Sequence, residues 1–399
     1  MPGSHDAHGY EPPRVVASGP TEVRPLSLRP GAALGKLRGR AFIYFAFDIG
    51  QWIDLEDART RLTSPSEDAR IKGSRRAPRY FQFSPLPVRV SRAVAPVTFG
   101  HFATESGVDL TLYDFGGVSV AFTLPFEADT DRLINLASAL TDDDQLPERA
   151  RAEVAKVLEQ TRASVTRAAL SDLTEDYLVF QVEALDPAVP PSELCERFRG
   201  DLARILRSEP EALSEDEIAD ATAVHIAYGR EDVAVLDWNA AFLFDSEADD
   251  SRAILEFANM ELLEMRFLDR QLDDSLDRAY ESLSRKGGGL PSFPGPSRAG
   301  LVQVGRMQVD AAILFERVNN ALKLIGDPYL ARVYRLASQR FRLGEWNAGI
   351  LRKLEALESI YEKMSDRATT TRMEVLEWII IVLIAAEMVI PWLTSLWRR

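Results

Sequence analysis

The stretch GVDLTLYDFGGVSVAFTLPF, Gly107 to Phe126, decides how this chain is read. Two runs of β-branched, aliphatic and aromatic residues flank Gly116 and Gly117. Only glycine takes positive φ at no steric cost, so the pair marks a hairpin turn between two strands. Upstream, RYFQFSPLPVRV and PVTFGHF continue the pattern of short runs and turns, which makes Tyr80 to Phe126 a β-rich meander. Before it, AFIYFAF (Ala41–Phe47) is a strongly apolar strand candidate, and DLEDARTRL reads as a short helix. Beyond it, helical patterns cover Asp131–Leu140 and Pro147–Leu170, and DYLVFQVEA returns to a strand. SELCERFRGDLARILRSE then places Leu194, Phe198, Leu202 and Ile205 on one helical face, and Ser214 with Glu217 forms a capping box. AVHIAY and DVAVLDW pair around Gly229, and Trp238, Phe242 and Phe244 read as core. Residues 41–245 are therefore expected to form an α+β body, after a disordered leader over 1–40 that is rich in Pro, Gly, Ser and Arg.

After Asp249 the pattern is helical. Leu255, Ala258, Leu262, Met265, Leu272, Leu276, Ala279 and Leu283 recur at spacings of three and four, interrupted by Asp269. This predicts a long helix over 249–285. KGGGLPSFPGP then marks a flexible loop over 286–300, and a helical stalk follows over 301–372. Ile350, Leu354, Leu357, Tyr361 and Met364 keep strict four-three spacing, the seam of a coiled coil, so self-association into a homo-oligomer is expected.

The chain closes with MEVLEWIIIVLIAAEMVIPWLTSLWRR, Met373–Arg399. The 23 residues from Val375 to Trp397 would make a helix of about 34 Å, enough for a hydrocarbon core of about 30 Å. Twelve of them are Val, Leu or Ile, each worth about −0.3 to −0.6 kcal/mol at the membrane centre, against about +3 for one carboxylate. Insertion through residues 375–397 is the expectation: a transmembrane anchor over 373–399, single-pass and C-terminal, with the body on the cytoplasmic side. Glu377 stands at the polar entrance. Glu387 stands near the midplane, and Pro391 is placed to bend the helix.

The net charge of −14 and the pI near 5.0 argue against direct nucleic-acid binding, which needs a basic stripe. The single cysteine, Cys195, excludes an intrachain disulfide and reads as packing. His5, His8, His101 and His225 are scattered with no metal spacing, and no Walker loop, GxGxxG after a strand, GxSxG, HExxH or CxxC is present. Neither cofactor nor catalysis is expected. An enzyme would instead reveal itself by a deep pocket with convergent polar groups in the α+β body. Asp269, Asp273 and Asp277 share one helix face at i, i+4, i+8, a spacing that could suit a divalent cation, but the interleaved Arg266, Arg270 and Arg278 favour a solvated face with intrahelical pairs.

Leu376, Glu377 and Trp378, then the aliphatic run Ile379–Ile384 and Glu387, preceded by Arg372 and a long helix, resemble the C-terminus of the YagE family, which includes the "required for meiotic nuclear division" proteins. That resemblance implies association with mitochondria or with cell division, in one member by tethering ribosomes at a membrane, and no enzymatic activity. The function expected from the sequence is thus a membrane-anchored, self-associating scaffold that recruits an unidentified protein partner. The alternative is an oligomeric cation transporter or channel with Glu387 in its pore.

Overall fold

The computed structural model describes residues 35–62, 85–284 and 327–363, with single positions at 305–307, 309, 312, 377, 380 and 381. Its centre is a mixed sheet of eight strands in the order β10 (His225–Ile226), β11 (Val233–Leu236), β12 (Ala240–Phe244), β9 (Thr174–Asp186), β1 (Lys36–Asp48), β7 (Gly117–Asp129), β6 (Gly107–Leu112) and β3 (Val88–Ala93). All neighbours are antiparallel except β12 and β9, which run parallel. Four shorter strands form two small ribbons: β2 (Trp52–Ile53) with β8 (Val165–Thr166), and β4 (Thr98–Phe99) with β5 (Phe102–Ala103).

β1 organises the sheet because its side chains are needed on both faces. Leu37, Ala41, Ile43, Phe45 and Phe47 point into a core shared with helices α1 (Leu55–Leu62), α2 (Thr130–Thr141), α3 (Gln145–Thr161), α4 (Pro191–Arg197) and α5 (Arg199–Arg207). Phe42, Tyr44 and Ala46 point the opposite way, into a second core formed with α7 (Asp249–Ser284), α8 (Pro328–Arg340) and the helical residues 343–363, here α9. A strand covered on both faces gains nothing from polar alternation, which is why AFIYFAF is a continuous apolar run. The small helix α6 (Glu215–Ala221) is capped by Ser214, whose side chain accepts the Glu217 amide at 3.2 Å, as the capping box predicts.

Three local expectations change. The helix predicted through Leu170 ends at Thr161, because Ile53 and Val165 pair in the β2–β8 ribbon and the chain must turn at Arg162–Ser164 to reach it. The helix predicted across Phe198 is broken there into α4 and α5. AAFLF, within the aromatic cluster read as core, is the parallel strand β12, and Trp238 at its entrance is 50% exposed.

The larger corrections concern the second half. The long helix is no stalk extending from the body: Ile254, Leu255, Phe257 and Ala258 of α7 pack in the same core as Phe42, Tyr44 and Val179 of the sheet. Its three-four periodicity serves a sheet face and two neighbouring helices, since an apolar stripe does not encode which surface will cover it. Ile350, Leu354 and Leu357 are buried in that core and Tyr361 packs against it, while Met364 lies outside the described residues. The membrane anchor is also withdrawn. Among the described residues no helix is long and apolar enough to cross a membrane. Glu377, Ile380 and Ile381 are helical and exposed, and Leu376, Trp378, Glu387 and Pro391 lie outside the described residues. The single-pass membrane location and the topology built on it fall with the anchor.

Candidate functional site

Where β1 ends, the chain turns sharply and is met by two other connections. Ile49 donates to the Gly116 carbonyl at 3.0 Å, Ala169 donates to the Ile49 carbonyl at 3.0 Å, and Ser171 donates to the Asp48 carbonyl at 2.9 Å. Three connections therefore converge on one strand end: the loop 49–51, the β6–β7 turn at 113–116 and the segment 167–171. The approach is close enough to require glycine. A Cβ on Gly116, whose φ is +105°, would lie 1.7 Å from the Gly50 carbonyl oxygen. Here the structure bears out the turn read from Gly116 and Gly117. α7 closes the remaining side, with Met260 directly over Gly117.

These walls border a half-open cavity of about 430 Å³. Its inner wall carries Asp48 from β1 and Glu264 and Leu268 from α7, all buried. Phe267 and Gln271 share that helix face with them, since positions 264, 267, 268 and 271 are neighbours at helical spacing. Trp52 and Phe115 add aromatic surface from β2 and from the β6–β7 turn, and Gln51, Ala169 and Arg167 stand exposed at the mouth. Arg167 holds a left-handed backbone at φ 54°, a conformation that costs a non-glycine residue about 1 kcal/mol and recurs at binding sites.

The electrostatics follow from burial. Asp48 is 5% exposed, and burial raises its carboxyl to about 7 despite the hydrogen bond it receives from the Gly50 amide. The carboxyl is thus divided between two protonation states at neutral pH. No histidine, cysteine or lysine among the described residues lines the cavity. Among the described residues, no group of three or more His, Cys, Asp or Glu side chains is placed to hold a metal ion.

Sequence reasoning missed this site. Asp48 and Gly50 did carry a signal, a carboxylate closing an apolar strand just before a glycine; Glu264 and Arg167 carried none, because only the packing of α7 and the turn after β8 bring them here. The aspartates that were singled out lie elsewhere on α7. Lys353 of α9 sits 2.7 Å from both Asp269 and Asp273, so these carboxylates tie two helices together in place of the intrahelical pairs expected. A second polar cluster locks the β11–β12 turn. Asp237, fully buried, lies 2.6 Å from Arg207 of α5 and receives hydrogen bonds from Arg340 of α8, and both arginines also reach Asp220. The two arginines hold the exposed Asp220 carboxyl down at about 2.

The comparisons fall on this body. The model of one family, described as "Uncharacterized protein MJ0711, N-terminal domain", matches residues 38–251, more than half of the chain. The chain belongs to that family. The MJ0711-type domain runs from β1 to the first turn of α7, so it contains the whole sheet and the Asp48 side of the cavity. "Uncharacterized protein MJ0711" of Methanocaldococcus jannaschii is 24% identical over 202 residues, covering 50% of this chain and 61% of its own length. The chain thus spans about three-fifths of the length of the curated relative it matches. No solved structure matches it. The YagE resemblance is corrected by these findings, none of which points to that family. It rested on a terminal apolar run, and such a run reflects composition shared by many unrelated helices, whereas the family match follows the sheet.

Proposed function

We propose that this MJ0711-type chain is a binding protein that takes a small amphipathic molecule in the cavity between the end of β1 and α7. The cavity itself supports this reading: it has the size of a ligand site, and it combines an apolar wall with a few convergent polar groups. It is also built from two layers, the sheet and α7, so an occupant would touch both and favour their closed packing over an open one.

Saturation-transfer NMR with benzyl alcohol on the full chain tests it. Transfer is expected to the wild type, with affinity on the order of 0.1–1 mM for so small a probe. It is expected to vanish in Ala169→Phe, which fills the mouth. Transfer unchanged by that substitution, or absent from the wild type, rejects the reading.

Self-association toward a partner-recruiting scaffold is a second reading. Tyr280 on α7 and Leu351 on α9 favour it, as large apolar side chains 59% and 46% exposed. Sedimentation velocity showing only monomer at micromolar concentration would remove it.

A further inference from the structure

We infer that the β3 edge of the sheet docks a second copy of this chain, strand against strand, across a two-fold axis at Ser91. Among the described residues β3 pairs with β6 alone and closes that end of the sheet. The Val94 amide donates to the Ser106 carbonyl at 3.3 Å, in the register that sets Val88 opposite Leu112 and Ala93 opposite Gly107. In an antiparallel ladder alternate residues turn their backbone groups to the same neighbour. Val88, Val90 and Arg92 therefore bond to β6, while Arg89, Ser91 and Ala93 turn their N–H and C=O groups outward. Arg89 and Ala93 are exposed.

Natural sheets blunt such an edge with a very short strand, a proline or a bulge. The opposite edge is blunted, since β10 has only two residues. β3 has six, runs without a register shift, and meets proline only outside its ends, at Pro87 and Pro96. The order of charges along the strand is what fits it to a second copy. With the axis at Ser91, Arg89 faces the partner's Ala93 and Arg92 faces the partner's Val90, so no arginine opposes another. All three outward residues of each copy then find a hydrogen-bonding pair, and a closed two-fold contact uses up both β3 edges. An axis at Arg89 or Arg92 would set like charges directly opposite, which destabilises the pairing. An axis at Val90 would set Ala93 against the partner's Pro87, which has no N–H to give.

This surface includes neither the cavity lining nor Tyr280 and Leu351, so its failure leaves both readings above untouched. Six residues per copy make a small interface, and sedimentation velocity on the full chain should show a monomer–dimer equilibrium with Kd about 10–100 µM. Ala93→Glu places a carboxylate opposite Arg89 twice across the axis and should tighten the dimer about threefold to tenfold, whereas Ala93→Arg should weaken it by at least as much. Ser91→Pro removes an outward N–H without touching the β6 ladder, so the variant should be monomeric with an unchanged circular dichroism spectrum. Three results overturn the inference: Ala93→Glu and Ala93→Arg acting alike, a dimer that survives a folded Ser91→Pro, or a monomer at 200 µM in both wild type and Ala93→Glu. Association abolished by Leu351→Ala and indifferent to the Ala93 pair would also overturn it, in favour of the helical surface.

Discussion

Tyr334 of α8 donates its hydroxyl hydrogen bond to Oε2 of Glu261 on α7, at a point where both side chains are buried. Burial raises the Glu261 carboxyl to about 8, and the tyrosine only partly offsets this. Near neutral pH the interface between α7 and α8 is therefore held by a protonated glutamic acid. The same burial, reinforced by the neighbouring carboxyl, drives the Tyr334 hydroxyl far above its ordinary range, so it stays a donor.

This relationship sets a pH dependence. The folded carboxyl titrates well above its unfolded value of about 4.5, so its contribution is complete below pH 4.5 and is lost as pH rises through 8. Glu261→Gln keeps the shape and removes the titration. It should be the more stable protein, by about 3 kcal/mol at pH 7 and about 5 kcal/mol above pH 8, with the difference vanishing near pH 4.5. Urea unfolding at a series of pH values measures this, and parallel pH profiles for the two proteins would refute it.

Asp237 anchors Arg207 and Arg340 from two layers of the fold. Removing it with Asp237→Ala leaves two largely buried guanidinium groups facing each other without their shared carboxylate, at a cost of about 3–5 kcal/mol. Chemical denaturation should show that loss, and a change under 1 kcal/mol would mean that Asp220 alone holds both arginines.

Gly116→Ala should destabilise the chain by about 2 kcal/mol or more, because its Cβ cannot coexist with the Gly50 carbonyl and its φ is left-handed. Benzyl alcohol binding should weaken with it, since the loops at 49–51 and 113–116 must part. A variant with wild-type thermal midpoint would show that this turn is not the tight junction described.

Lys353→Met should cost about 1 kcal/mol at low salt and less in 1 M salt. The lysine joins two carboxylates on a neighbouring helix, and without it Asp269 and Asp273 repel each other at i, i+4. Melting temperatures at the two ionic strengths would show the difference, and a salt-independent loss would assign Lys353 a packing role.

Much of the sheet was legible because its information is local. The glycine pair announced the β6–β7 turn, AFIYFAF announced a strongly apolar strand, and Ser214 with Glu217 announced the cap of α6. The long helix was legible too, but its partner was not. Residues such as Leu255 and Ala258 demand cover, and a heptad-like stripe looks the same whether another copy of the chain, a membrane or a sheet supplies it. The reading of the C-terminal run as an anchor came from that ambiguity, since hydropathy reports a preference for leaving water and not a destination.

By itself the sequence determined the α+β composition, the position of most strands and the existence of a long amphipathic helix, because turn chemistry and hydrophobic period act over a few residues. Only the tertiary structure decided that α7 to α9 form the third layer on the sheet, and that Asp48, Trp52, Arg167 and Glu264 share one cavity. Those residues lie up to 216 positions apart, from 48 to 264, and their meeting is set by strand register and helix packing, which no local pattern encodes.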